Sequence, residues 1–304
     1  MERHKTESRS YEINPWSVRR DLWLRRIGKW GLAFNPIFSY FFLWSPIFIL
    51  VLYSFNASRR AGGRWEGFST VWYDNIFSGV AGSRSNYSTE EMLEAVETSL
   101  IIGVVGTIIA TILGTMVSLS LERGVFRGKR WVDGLLYLPI VIPDITMGIS
   151  LLVFFKVVFD LIENITGSRP FPGIANVAIA HIAFNISFVA IVVRARLTDM
   201  NPRYEEAARD LGANEWRTFW RITYPLLLPG IVAGALLAFT LSLDDFVITF
   251  FVSGGSVTTL TVFVWGLVKR GVPPEINAIS TLMILASTTL VLISSLFQRN
   301  ASRG

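Results

Sequence analysis

The chain has 304 residues, of which 51% are hydrophobic and 17% charged, and its formal net charge is +5. It contains no cysteine, which excludes disulfides and thiolate metal sites, and its two histidines, His4 and His181, are too few for a histidine metal cluster. The hydrophobic residues form long runs, which is not the pattern of an ordinary soluble domain.

Residues 1–32 are charged throughout and lack the short apolar core of a signal peptide, so we interpret them as a cytoplasmic tail. Trp16, Trp23 and Trp30 recur every seven residues and would share one face of a helix. Two interpretations of this tail stay open. It forms a short amphipathic helix on the inner membrane surface, or it is a partly ordered anchor before the first apolar run.

Six mostly apolar runs are long enough to cross a bilayer, because roughly 20 helical residues span a hydrocarbon core about 30 Å thick. They are rich in Leu, Ile and Val without strict alternation, which favours helices over the strands of a membrane barrel. The runs cover about 33–53, 96–121, 135–159, 174–193, 226–251 and 276–297. We predict an all-α integral membrane protein with six transmembrane helices in one domain, 33–298, and a C-terminal cytoplasmic tail, 299–304.

The positive charges indicate how the chain is oriented. With the N-terminus placed in the cytoplasm, the internal segments hold 20 Lys and Arg residues and the external segments hold 7. This excess fits the positive-inside rule, and an even number of spans returns the C-terminus to the cytoplasm. The basic excess is therefore a topology signal, and it does not indicate a nucleic-acid partner.

Two of the runs are irregular, and a short apolar segment follows the fifth. Pro139 and Pro143 interrupt the third run, where a proline removes a backbone hydrogen bond and kinks a helix. Residues 253–256, Ser-Gly-Gly-Ser, interrupt the helical pattern after the fifth run. The apolar segment 260–268 that follows is too short to span, so we predict a surface or re-entrant helix.

A polar segment between the fourth and fifth runs has the features of a short docking helix. Pro202 suits a first helical turn, acidic residues complement its positive end, and Gly212 is a natural stop. The small side chains of Ala207 and Ala208 would let a partner surface approach closely. We predict a helix over about 202–213; the alternative is a generic amphipathic loop. The candidate docking residues are Glu205, Glu206, Ala207, Ala208, Asp210 and Gly212.

Three acidic residues lie well inside the apolar runs, where a charge usually faces a bundle interior or a water-filled path. Asp144 lies about ten residues into the third run, hence roughly 15 Å deep. Asp244 and Asp245 lie in the outer half of the fifth run. An anionic lining suits a cationic substrate. The alternative is that these carboxylates pair with Lys156 or with arginines, or cap kinked helices.

Aromatic residues could contribute to the same path by cation–π contact with an ammonium group. The candidates are Tyr40, Trp44, Trp65 and Trp72, with Tyr40, Trp44 and Trp72 preferred. The alternative for each is an anchor at the membrane interface.

No enzymatic motif is found in the sequence. The nearest approach to a phosphate-binding Walker A loop, 124–130, is one residue short and lacks the terminal Ser or Thr. His181 and Asn185, four residues apart, favour a polar bridge between helices over catalysis. We predict no catalytic residue, no metal site and no bound cofactor in this chain.

The polar segment resembles the EAA loop of the permeases of ATP-binding-cassette (ABC) importers. Glu206-Ala207-Ala208 is followed after three residues by Gly212, and later by Ile222 and Pro225. The stretches 138–150, 239–246 and 268–278 are similar to one branch of that family, the PotC-type spermidine/putrescine permeases. The likeness covers about 35–298.

This resemblance implies a type I importer fold, with the coupling helix at about 202–213 seated in a cleft of a separate ATPase. The implied partners are a second related permease, two subunits that bind ATP and Mg, an external substrate-binding protein and membrane lipid. The implied location is the bacterial inner membrane. Asp144 and Asp245 match positions implicated in polyamine passage. The same machine carrying another solute, and a secondary transporter acting alone, are the alternatives.

Overall fold

The computed structural model describes residues 15–78, 89–268 and 273–301. The chain divides into two compact units, 1–53 and 54–304. The first unit contains a single described helix, α1, Pro15–Tyr53. The predicted tail is therefore helical from Pro15 and continues into the first apolar run. Residues 1–14 and the side chain of Trp30 lie outside the described residues, whereas Trp16 and Trp23 are exposed.

The second unit is helical through most of its described length. In chain order its helices are α2 (Val71–Ser78), α3 (Thr89–Arg123), α4 (Lys129–Leu136), α5 (Leu138–Val141), α6 (Asp144–Thr166), α7 (Ile174–Asp199), α8 (Arg203–Asp210), α9 (Glu215–Thr218), a π-helix (Phe219–Thr223), α10 (Tyr224–Asp244), α11 (Val247–Val252), α12 (Leu260–Val268) and α13 (Glu275–Ala301). The helical fold class predicted from the apolar runs is confirmed.

Within the described residues, five segments are long and apolar enough to cross a membrane, one fewer than predicted. They are Phe34–Tyr53, Glu90–Arg123, Asp144–Thr166, Ile174–Asp199 and Glu215–Asp244. The sixth predicted run, 276–297, lies inside α13 but is not among them. The predicted short helix at 260–268 is confirmed as α12.

The third run is not one helix, and this removes the basis of the depth predicted for Asp144. The residues before Asp144 fold as two short helices, α4 and α5, and the backbone is extended at Ile142 and Pro143. Proline disfavours helical geometry in the residue before it, which explains the break. Asp144 is therefore the first residue of α6, and a count of ten helical residues from 135 gives no depth for it.

The fifth run also breaks, at the pair of adjacent carboxylates. α10 ends at Asp244, and Asp245 has extended dihedral angles (φ −65°, ψ 125°) before α11 begins. The hydroxyl of Thr261 donates to the backbone carbonyl of Asp245 at 2.6 Å. An irregular backbone is tolerated at membrane depth when neighbours satisfy its polar groups, and Thr261 of α12 does so here.

α3, α7 and α10 pack against one another and form the centre of the second unit. Their contact is close because small residues lie at the crossings. A Cβ added at Gly114 of α3 would lie 2.8 Å from Cβ of Val189 on α7, too near for two carbon atoms. Between apolar helices in lipid, such close packing supplies much of the attraction. Val189, Val193 and Ala238 are fully buried there.

Candidate functional site

The predicted docking helix is present as α8, inside the predicted range 202–213. It begins after Pro202 and carries Glu205 and Glu206 in its first turn. Gly212 has φ +83°, a conformation that glycine adopts without strain. The Gly212 N–H bonds to the Arg209 carbonyl and the Ala213 N–H to the Ala208 carbonyl, which together form a Schellman motif. The prediction of Gly212 as the helix stop is confirmed.

The candidate docking residues do not all face outward. Glu206, Ala207, Asp210 and Gly212 are exposed, and Ala208 is half-buried. The apolar side chains of Leu211 and Trp216 beside them are 89% and 69% exposed. Exposed apolar groups next to acidic ones form a surface that can receive a protein partner. Glu205, in contrast, is buried with 7% of its surface exposed, and it lines a cavity of about 350 Å³ together with Arg123 and Trp216.

Glu205 instead binds two other segments of its own chain. Its Oε1 accepts a hydrogen bond from the hydroxyl of Thr223 at 2.9 Å. Its Oε2 lies 3.2 Å from Nε of Arg123, the last residue of α3. Thr223 is itself buried and is the residue before α10. One carboxylate thus joins the docking helix to the end of α3 and to the start of α10.

Glu122, the residue before Arg123 on α3, takes part in a second ionic contact. Nε of Arg194 on α7 lies 3.1 Å from Oε2 of Glu122, and its Nη1 pairs with Asp133 on α4. Neighbouring residues of α3, Glu122 and Arg123, therefore connect this end of the helix to α7 and to α8 respectively. Two ionic groups thus lie at this end of α3, one that includes α4 and α7 and one that includes α8.

Asp245 stabilises the break in the fifth run. Its side chain is about 10% exposed, and its carboxylate accepts hydrogen bonds from the backbone N–H groups of Ile248 and Thr249 at 3.2 and 2.8 Å. The hydroxyl of Thr249 donates to the same carboxylate at 2.8 Å. These contacts cap α11, as one of the alternative interpretations expected.

A buried histidine completes this polar cluster. Nε2 of His181 lies 3.0 Å from the Thr249 hydroxyl and 3.3 Å from the Asp245 carboxylate, and its Nδ1 lies 2.5 Å from the hydroxyl of Ser242. A neutral ring with the proton on Nε2 satisfies all of these contacts, with Ser242 donating to Nδ1. His181 therefore bridges helices, as predicted, but without Asn185, whose side-chain atoms bond to no described group.

Asp244 differs from its neighbour because it is exposed and faces open space. It lines a cavity of about 700 Å³ formed by α10, α12 and α13. The same cavity is lined by Phe246 and Trp265, whose ring centroids are 5.1 Å apart, and by hydroxyl groups that include Thr240. A carboxylate, aromatic faces and hydroxyls are the groups that bind an ammonium ion.

The other predicted lining residues are not brought to this cavity. Asp144 is exposed at the start of α6, where its charge complements the helix dipole. Trp72 is 8% exposed and packs in a core with Met92 and Ile276, while its Nε1 donates to the Asn56 carbonyl at 2.6 Å. Its assignment to the path is therefore corrected, because a buried indole lines no open space.

Tyr40 and Trp44 belong to the first unit, where they are 66% and 48% exposed on α1. A role for either residue in a substrate path stays a prediction. In the described part of the chain no group of three or more metal-ligating side chains comes together.

Sequence reasoning missed two features of the region around Asp244 and Asp245. Trp265 lies within the short apolar segment 260–268, whose composition does not mark a ligand. His181 was considered only with the residue four positions later, because its partners are about sixty residues away in sequence. Long-range pairing of this kind leaves no local pattern.

The fold defines a helical membrane protein with a short polar helix, α8, between its apolar segments. The family of binding-protein-dependent transport system inner membrane components matches residues 106–304. Since this is more than half of the chain, the chain belongs to that family.

Relatives of known role cover most of this chain. The spermidine/putrescine transport system permease protein PotC of Escherichia coli K12 is 37% identical over 265 residues, covering 87% of this chain and 92% of the relative. The putrescine transport system permease protein PotI of the same strain is 40% identical over 249 residues, covering 82% and 83%.

Solved structures resemble the fold at lower identity. A bacterial ABC transporter involved in the import of the acidic polysaccharide alginate contains a chain with a TM-score of 0.66 and 18% identity, covering 92% of this chain and 99% of that one. A chain of the MetNI methionine ABC transporter in an inward-facing conformation gives a TM-score of 0.51 and 17% identity, covering 77% and 99%. These likenesses concern the fold alone.

Proposed function

We propose that this chain is a permease subunit of an ATP-driven importer of polyamines such as spermidine and putrescine. The observation that carries the proposal is the 37% and 40% identity to two permeases named for those solutes, over more than four fifths of the chain. The acidic and aromatic cavity beside Asp244 supports it, since a polyamine presents ammonium groups on an apolar carbon chain.

The chain works with partners that supply energy and substrate. A second related permease completes the pore, two ATPase subunits bind ATP and Mg, and an external binding protein delivers the polyamine. The surface formed by Glu206, Ala207, Leu211 and Trp216 is exposed and contiguous with α8, as the docking face for an ATPase subunit must be. This chain contributes no catalytic residue; hydrolysis takes place on the partners.

Coupling follows from a two-state equilibrium. Closure of the ATPase pair on ATP moves α8, and the permease pair turns from inward- to outward-facing. ATP shifts this equilibrium only by its differential affinity for the two states. The chain lies in the bacterial cytoplasmic membrane with both termini in the cytoplasm, and α8 then lies on the side where ATP is available.

Within the permease, the polyamine passes the carboxylate of Asp244, with Asp144, Asp245, Tyr40 and Trp44 as further contacts. Asp244 is the strongest of these candidates, because its carboxylate is exposed to a cavity. Asp245 already accepts hydrogen bonds from its own chain. A carboxylate occupied by capping contacts acts on the solute mainly through its charge.

The proposal is tested by uptake of labelled spermidine and putrescine into liposomes that contain the reconstituted complex, with and without ATP. We expect ATP-dependent uptake that unlabelled polyamines inhibit and that acidic or neutral solutes do not. ATP-dependent uptake of a different solute, with polyamines excluded, would refute the proposed substrate but would still show that the chain is an importer permease. Uptake by this chain without ATPase subunits would show a secondary transporter.

A further inference from the structure

We propose that Glu205 is a positioning residue that transmits the movement of α8 to the rest of the permease, and that it takes no part in docking. This inference rests on the proposed function, since it concerns how an ATPase drives this chain. It separates the acidic residues of the docking helix into two roles that their positions in sequence do not distinguish.

Glu205 is buried, which distinguishes it from its neighbour Glu206. It is adjacent to the exposed Glu206, yet only 7% of its own surface is accessible. A partner that approaches the exposed face of α8 meets Glu206 first, because Glu205 lies in the wall of a cavity of about 350 Å³ and is held there by Arg123 and Thr223. A buried carboxylate is costly unless it is paired and hydrogen-bonded, and Glu205 is both, through Arg123 and Thr223.

The two partners of Glu205 belong to the ends of two central helices. Arg123 ends α3 and Thr223 directly precedes α10, and these are two of the three helices that form the centre of the second unit. A contact through both oxygens of one carboxylate resists displacement of α8 relative to either helix. The third central helix, α7, is joined to the same end of α3 by the Glu122–Arg194 pair.

α8 is also joined covalently to α7, which ends at Asp199, by residues 200–202, and Met200 of that segment packs with Leu227 of α10. The chain after α8 turns at Gly212 and enters α9, where Arg209 pairs with Glu215 at 3.1 Å. That pair is exposed, at 49% and 81% for the two side chains, and exposed ion pairs contribute little because water screens them. The backbone route from α9 then passes through the π-helix Phe219–Thr223. Glu205, in contrast, contacts Thr223, the residue before α10, directly.

The test compares Glu205→Gln with wild type in the reconstituted complex, by measuring solute uptake, ATP hydrolysis and the amount of ATPase bound. Glutamine keeps an acceptor for the Thr223 hydroxyl but loses the charge that holds Arg123. We expect the ATPase subunits to stay bound and the ratio of solute imported to ATP hydrolysed to fall by about fivefold or more, the lower end of coupling effects between distant sites.

Two further variants separate transmission from folding. Thr223→Val removes the other contact with little change in volume, and we expect a smaller fall in the same ratio. Exchange of the two charges, Glu205→Arg with Arg123→Glu, should recover part of the lost coupling. Asp160→Asn is the matched control, because it breaks a 2.9 Å ion pair with Arg169 on exposed side chains away from α8.

Three results would overturn the inference. These are unchanged uptake and unchanged ATP hydrolysis in Glu205→Gln, loss of bound ATPase in that variant, or a proportional fall of both activities that leaves the ratio as in wild type. The first excludes transmission, the second assigns a docking role, and the third assigns a role in stability alone. Failure of the proposed function is distinguishable, because wild-type complex would then show no ATP-dependent polyamine uptake.

Discussion

Replacement of Asp245 by alanine should destabilise the permease, whereas the same replacement of its neighbour Asp244 should not. Asp245 accepts hydrogen bonds from two backbone N–H groups of α11 and from the hydroxyl of Thr249, and it contacts His181. Asp244 is exposed and faces the cavity. The two residues are adjacent in sequence and of the same type, so each is the control for the other.

The magnitude follows from what alanine leaves behind. Loss of one partner of a buried, hydrogen-bonded charge typically costs about 3–5 kcal/mol, because the remaining groups stay buried without a partner. Here those groups are the first N–H groups of α11 and the ring of His181, which is 1% exposed. A cap on an ordinary helix is worth only about 1 kcal/mol, so most of the expected cost arises from burial.

The assay is thermal unfolding of the purified protein in detergent, followed by tryptophan fluorescence. We expect Asp245→Ala to unfold roughly 5 °C or more below wild type and Asp244→Ala within about 1 °C of it. A cycle with His181→Ala should be less than additive, because Asp245 and His181 share a contact. Equal midpoints for the two aspartate variants would refute the capping argument.

Three other substitutions probe the cavity and the helix packing. Asp244→Asn should lower polyamine uptake about tenfold or more without loss of assembly, since a hydrogen bond to a charged group is worth about 1.5–3 kcal/mol. Trp265→Ala should raise the concentration for half-maximal uptake more than Trp265→Phe does, as the cation–π contribution weakens. Gly114→Ala should lower stability by about 1–3 kcal/mol through overpacking, measured by thermal unfolding, while Gly134→Ala, with no neighbour within 4 Å, should not.

Much of the fold follows from local patterns in the sequence. Apolar runs indicated helices because only their length and composition matter for crossing a bilayer. The start of α8 at Pro202 and its end at Gly212 were predictable, since proline and glycine act through their own backbone preferences. These are properties of single residues and need no knowledge of neighbours.

The interruptions were harder to predict than the helices. Pro143 indicated a break in the third run, yet the depth predicted for Asp144 counted helical residues across that break. No proline marks the break at Asp245. That break depends on Thr261, Thr249 and His181, which come together only in the folded chain.

The roles of individual site residues depended on burial, which the sequence does not encode locally. Trp72 and Trp265 are both aromatic residues between predicted spans, but one is 8% and the other 49% exposed. Glu205 and Glu206 present the same contrast on adjacent positions of α8. Periodicity places a residue on a face of a helix, and only tertiary packing decides what that face meets.

The fold itself leaves the solute undetermined. A chain of similar fold belongs to an importer of an acidic polysaccharide, whereas the relatives with higher identity are permeases for cationic amines. The charge of the solute must therefore be matched by a few side chains on a shared scaffold. An exposed carboxylate beside aromatic rings would repel a polyanion and attract a polycation, so Asp244 is a residue at which the two kinds of permease should differ.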